Sequence, residues 1–234
     1  MTATVQTYAA GPTEDKGRRW RLLALAVIAP IGPLAIAGIR AVLPYRTTED
    51  NAGIVAGIAA NASAESTVLW LGLIASLTLV VGVVVVSSVA VRGAPVLGTI
   101  GAVLAVVGYS SLFIGVLPPD AAALGAVQAG VDNATTAQIL DQMAAHPSAA
   151  IALVLFLVGH ILGTVLLGIA VWKGGMVPVW AALALIVSQP LHLVFAVVVP
   201  NGLLDAASWT LTAIGFAATA MTLLRSSAPT LASS

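Results

Sequence analysis

Six long apolar runs, separated by short polar breaks, dominate the chain from Trp20 onward. They cover Trp20–Leu43, Thr67–Val91, Val96–Leu117, Ser148–Trp172, Val177–Val199 and Leu203–Leu224. Each is long enough to cross a hydrocarbon core, which takes about 20 apolar residues in a helix. Membrane β-strands would alternate apolar and polar residues over about ten positions, and these runs are solidly apolar. The pattern predicts an all-α fold, a polytopic membrane bundle of six transmembrane helices over residues 20–225. Residues 1–19 and 226–234 are expected to be disordered cytoplasmic tails.

Lysine and arginine set the expected orientation. Lys16, Arg18, Arg19, Arg21, Arg92, Lys173 and Arg225 fall on one side if the spans alternate, and only Arg40 and Arg46 on the other. Both termini are therefore expected in the cytosol, in a cell membrane. The same alternation sends Glu49, Asp50, Glu65, Asp120, Asp132, Asp141 and Asp205 to the outer side, where they are expected to be exposed and to meet any soluble partner. Two outer segments, 47–65 and 132–146, each predict a short helix. Thr47, Thr48, Glu49 and Asp50 offer a capping start for the first, and Asp132 with Asn133 for the second. Arg18-Arg19 before an apolar run, with Ala35, Ile36 and Ala37 beyond, imitates a cleavable signal, but the run continues past Ala37. Asn61 and Asn133 match the glycosylation sequon, as short polar loops do by chance.

Composition narrows the function. The 234 residues are 59% hydrophobic and 8% charged, against about 25% charged in a soluble domain, and mean hydropathy is +1.06. Net charge is zero with no long basic run, so nucleic acid has no electrostatic footprint. The absence of cysteine removes disulfides, thiolate metal sites and cysteine nucleophiles together. Usage rich in Ala, Val, Leu and Gly has a bacterial character.

Small residues predict where helices touch. Gly101, Gly108 and Gly115 recur every seven residues, Gly98 extends that face, and Gly159 with Gly163 forms GxxxG. Such spacing lets helix backbones approach closely, within one chain or across a homodimer. The stretch Ala90–Val96 also echoes Ala170–Val179. Counting on from each proline, Tyr109 and His192 both fall fourteen residues later, with Pro118 and Pro200 closing the spans. A parallel repeat or chance would each give this echo.

The chemistry sits in polar groups at membrane depth. His160 lies thirteen residues in from Pro147, about 20 Å below the edge of a core about 30 Å thick. His192 lies eight residues from Pro200, about 12 Å deep. Ser188, Gln189 and His192 share one helix face by spacing, with Tyr109, Ser110, Ser111, Ser208 and Trp209 in the same half. Pro190 frees the carbonyl of Ile186, and Pro30 and Pro33 free those of Ala26 and Ala29, so these must face protein or a wet cavity. Arg40 and Asp205, each about a turn inside the boundary, could form a salt bridge, or Arg40 could snorkel.

An ionisable residue inside a membrane is a functional candidate by default. The expectation is an outward-opening polar pocket lined by Tyr109, His160, Ser188, Gln189 and His192, for a small ligand, a lipid or a membrane partner. The bland alternative is that each histidine is neutral and hydrogen-bonded to a neighbouring helix. Haem or metal ligation by the two histidines is disfavoured by an estimated depth difference of about 8 Å, and by the lack of a carboxylate near either. His146, beside Pro147, marks a helix boundary. No G-x-S-x-G elbow and no glycine-rich phosphate loop is present. The reading leans to a non-enzymatic protein without a cofactor, with a membrane enzyme, a redox protein or a small secondary transporter as alternatives.

The chain resembles a family of bacterial six-helix membrane proteins known only as a domain of unknown function. The resemblance is carried by Asn51–Asn61 leading into the second span, and more strongly by Gly159-His160 through Gly168, Trp172-Lys173 and Met176-Val177-Pro178. It implies six spans and a histidine in the fourth, and supplies no activity. The chain departs from it around residues 120–146 and at Gln189-Pro190-Leu191-His192.

Overall fold

The computed structural model describes residues 12–225 apart from Val116, and side chains from residue 16 onward except those of 114–116. The expected tail 226–234 lies outside the described residues. Helix α1 (Pro12–Ile28) starts eight residues before Trp20, so part of the expected N-terminal tail is helical. It is followed by α2 (Ile31–Val42), α3 (Asn51–Ala60), α4 (Ala62–Gly93), α5 (Pro95–Gly115), α6 (Leu117–Gln128), α7 (Asn133–Ala145), α8 (Pro147–Lys173), α9 (Val179–Leu193) and α10 (Gly202–Arg225). A π-helical turn, Val194–Val198, closes α9.

Six helical stretches are long and apolar enough to cross a membrane: Lys16–Val42, Ala62–Gly93, Pro95–Gln128, Pro147–Lys173, Val179–Val198 and Gly202–Arg225. The protein is thus a multi-pass membrane protein with an all-α bundle. Its spans close a ring in chain order: α2 packs on α4, α4 on α5, α5 on α8, α8 on α9, α9 on α10, and α10 back on α2. Large apolar side chains such as Trp70, Leu77, Val154 and Val197 point outward, as a bilayer-facing surface requires.

Prolines cut the first span where expected. The helix breaks at Ala29–Pro30, and the carbonyl of Ala29 is not left bare: it packs on Gly82 of α4, where an added Cβ would lie 2.5 Å from that oxygen. The predicted glycine faces meet each other within one chain. A Cβ on Gly108 of α5 would stand 2.2 Å from the backbone nitrogen of His160, and one on Gly163 of α8 would stand 2.4 Å from that of Ala105. At the end of the bundle with the tight turns, Gly93 and Gly174 touch in the same way, so the turns of the two echoing hairpins lie together.

The opposite end is capped. Asp50 starts α3 by accepting from the Gly53 N–H, and Asp132 starts α7 by accepting from the Thr135 N–H. Each satisfies a donor that the first turn of a helix leaves open. Between the third span and Asp132 the sequence predicted no helix, yet α6 fills Leu117–Gln128. Pro118 and Pro119 sit in the first turn of α6, where proline is tolerated, and the chain stays helical to Gln128. Helices α3, α6 and α7 pack together over a second apolar cluster of Val55, Ile58, Ala123, Leu124, Ala137 and Leu140.

That cap overturns the expected exposure of the acids. Glu65, Asp120 and Asp205 are buried, whereas Glu49, Asp50, Asp132 and Asp141 are exposed. Glu65 sits in the first turn of α4, Asp120 in that of α6, and Asp205 between spans, and sequence position alone does not reveal their cover.

Candidate functional site

Below the cap, a chain of polar side chains runs from the bundle end into its interior. Arg40 of α2 and Asp205 of α10 are paired, Nε to Oδ2 at 3.2 Å. Asp205 turns its other oxygen to Nδ1 of His192, 2.5 Å away. Trp209, one helical turn beyond Asp205, aims its indole N–H at that same Nδ1 from 3.1 Å. The turn around Pro200 folds α10 back on α9, so residues a short count either side of it face one another. Asp205 is therefore the carboxylate near a histidine that the sequence reading missed.

One nitrogen cannot serve both neighbours. If Nδ1 of His192 carries the proton, it donates to Asp205 and the Trp209 N–H lacks an acceptor. If Nδ1 is bare, it accepts from Trp209, and Asp205 carries the proton and competes for the same lone pair. The group therefore has two proton arrangements with different bonding, the kind of device that intramembrane relays use.

His160 sits next to this triad. Its Nδ1 donates to the Phe156 carbonyl one turn back, since a carbonyl can only accept, and this leaves the lone pair on Nε2 without a partner in a fully buried ring. Phe156 stacks on one side, with centroids 4.1 Å apart and planes 9° from parallel; Trp209 lies parallel at 6.1 Å. Tyr109 and His192 lean on the His160 ring from two sides, at 5.6 and 5.5 Å, both tilted by 58°. The two residues that the hairpin echo pairs thus stand in matching relation to His160. Their ring separation also corrects the estimated 8 Å depth difference between the histidines: His192 leads into the π turn, and side chains reach along the helices.

Uncharged hydrogen bonds complete the interior. The Tyr109 hydroxyl bonds Thr164 at 2.9 Å, and Gln189 donates its amide to Thr212 at 2.7 Å. Ser188 turns back to the Leu185 carbonyl. The predicted residues Tyr109, His160, Ser188, Gln189 and His192 are thus all buried, and Tyr109 and His192 each reach the His160 ring.

They do not line the cavity at this end. That space, about 460 Å³, lies between the α2–α3 connection and the π turn, with Arg40 and Asp205 among its walls. Tyr45, Arg46, Thr47, Glu49 and Asn201 supply the rest of its polar lining. Thr47 ties the wall together by donating to the Ala196 carbonyl of the π turn, whose irregular backbone leaves carbonyls to bond. Tyr45 also donates to Asp120 at 2.6 Å, and burial together with that carboxylate pushes its phenol above the ordinary tyrosine range. Among the described residues, no three His, Asp or Glu side chains converge as a metal ion would need.

No protein-family model, curated protein or solved structure matches the chain.

Proposed function

We propose that this membrane protein binds a small polar ligand in the cavity between the first, fifth and sixth spans. One observation carries the reading: a cavity of about 460 Å³ has an arginine–carboxylate pair in its wall, and behind that pair stands a histidine whose Nδ1 faces both the carboxylate and an indole N–H. A ligand charge or hydrogen bond at Arg40 or Asp205 changes how strongly Asp205 holds His192, so occupancy is felt inside the bundle. Binding is favoured over catalysis because neither buried histidine lines the open space. The positive-inside count supports a cavity that opens on the outer face of the membrane, and the composition supports a bacterial cell membrane. The family resemblance adds six spans and no activity. A redox role has less support, since the two histidine rings pack directly against each other with centroids 5.5 Å apart.

The experiment is a thermal-shift screen of the detergent-solubilised protein against small carboxylates, amines, zwitterions and sugars. A ligand that binds only the native state raises its melting temperature in proportion to occupancy. At least one class should stabilise the wild type and fail to stabilise Ala41→Trp, which fills the cavity from its rim. A panel that shifts both proteins equally, or neither, removes the reading.

A transporter reading draws on a second observation: the first span breaks at Ala29–Pro30 and the fifth ends in a π turn, as discontinuous helices do beside carrier sites. Uptake of the stabilising compound into proteoliposomes, above the protein-free control, would favour it over binding alone.

A further inference from the structure

Three carboxylates, Glu65, Asp120 and Asp205, are buried around the cap end of the bundle, within electrostatic reach of a single buried guanidinium, Arg40, or of one another. Asp205 has Arg40 and His192 as partners, and Asp120 has the Tyr45 hydroxyl. Glu65 has none. It lies in the first turn of α4, fully buried, and neither of its oxygens meets a hydrogen-bond donor. The ionisable groups facing it are Asp120 from α6, Tyr45 from the α2–α3 connection and, beyond them, Arg40 from α2. Two of these are acids, and Arg40 is already shared.

A naked carboxylate buried beside another carboxylate is among the most costly arrangements a protein can contain. Something must neutralise it. A metal cation needs several oxygen or nitrogen ligands, and the described residues offer no convergence of three acids or histidines. A single proton needs only one oxygen. We propose that Glu65 is a proton-binding site of this protein, occupied in the resting state and exchanging with the cavity through Asp120 and Tyr45.

The route joins Glu65 to Asp120, which is within electrostatic reach, and Asp120 to Tyr45, which is in contact. Tyr45 lines the cavity on one side and bonds Asp120 on the other, so it is the wall between open space and the acid pair. The proton leaves Glu65 for Asp120; the Tyr45 hydroxyl then turns outward, gives its own proton to cavity water and takes the proton from Asp120, which ends ionised as it began. Reversal reloads the site. The proposal stands without any ligand in the cavity, so a failed ligand screen leaves it intact.

The test is infrared spectroscopy of protein labelled with carbon-13 at the glutamate side-chain carboxyl. The chain has three glutamates, Glu14, Glu49 and Glu65. Wild-type protein at neutral pH should show a labelled carbonyl band of a protonated acid, which Glu65→Gln abolishes while elution and melting temperature are kept. Tyr45→Phe should retain the band and slow its shift when the solvent is exchanged for heavy water. Should Glu65→Gln fail to fold, the double variant Glu14→Gln/Glu49→Gln leaves Glu65 as the sole labelled group and reads the same band. A spectrum with no such band at neutral pH overturns the proposal. So does a band that sodium chloride removes at constant pH, which would assign the site to a metal cation.

Discussion

Asp205 and His192 face each other across the turn between the last two spans, with Oδ1 2.5 Å from Nδ1. Asp205 also neutralises Arg40, so its loss strands a guanidinium that is 14% exposed along its side chain. Breaking one partner of a buried ion pair costs about 3 kcal/mol or more, whereas replacing both by apolar groups is often neutral. Asp205→Ala should therefore lower the melting temperature sharply in detergent, and Arg40→Met with Asp205→Leu should restore most of it. If the single variant melts with the wild type, the pair contributes nothing to stability.

His160 predicts the opposite sign for stability, and because its ring does not line the cavity the effect on a ligand there is indirect, through the His192 ring 5.5 Å away. The His160 Nε2 is a buried polar atom with no partner, and the desolvation of such an atom costs about 1–3 kcal/mol. His160→Leu removes that penalty and keeps an apolar side chain between Phe156 and Trp209. The variant should melt at or above the wild-type temperature while losing ligand stabilisation in the thermal-shift screen. A variant that melts well below the wild type would make His160 a structural residue.

The packing of α5 on α8 gives a third expectation, with an internal control. A methyl on Gly108 meets the backbone of His160 and cannot be relieved by a side-chain rotation. Overpacking of this kind costs about 1–3 kcal/mol. Gly125 of α6 has no atom within 4 Å of an added Cβ, so Gly125→Ala should stabilise by about 0.4–1 kcal/mol through the unfolded chain. Unfolding titrations of the two variants should move in opposite directions. Equal effects would contradict the helix contact.

What could be read from sequence tracks the range of the cause. Spans follow from local hydropathy, caps from Asp50 and Asp132, and glycine faces from spacing along one helix. Helix α6 was not foreseen, because Pro118 marks a helix start as well as an end. The Asp205–His192 pair depends on how α10 folds back on α9. Counting outward from Pro200 on both sides, instead of along each helix separately, would have brought the two residues together. The burial of Glu65 depends on three short helices that meet only in space, and no pattern near residue 65 encodes it. Hence the bundle and the Arg40–Asp205 pair were legible, and the Asp205–His192 contact and the burial of Glu65 were not.

The start of α7 carries a pH dependence that can be isolated. Bonds from the Thr135 hydroxyl and then its backbone N–H hold the Asp132 carboxyl below its ordinary value. A carboxylate depressed in the folded state contributes stability above its unfolded value, about pH 3.9, and loses it as pH falls through the folded one. The first turn of α7 should therefore fray only on acidification below that range, read as faster amide exchange in the Thr135 peptide after correction for the intrinsic rate. Asparagine caps helices about as well as aspartate and does not titrate there. Asp132→Asn should keep the turn closed at neutral pH and abolish the acid-dependent opening. If the asparagine variant frays over the same acid range, the titrating group lies elsewhere in the cap.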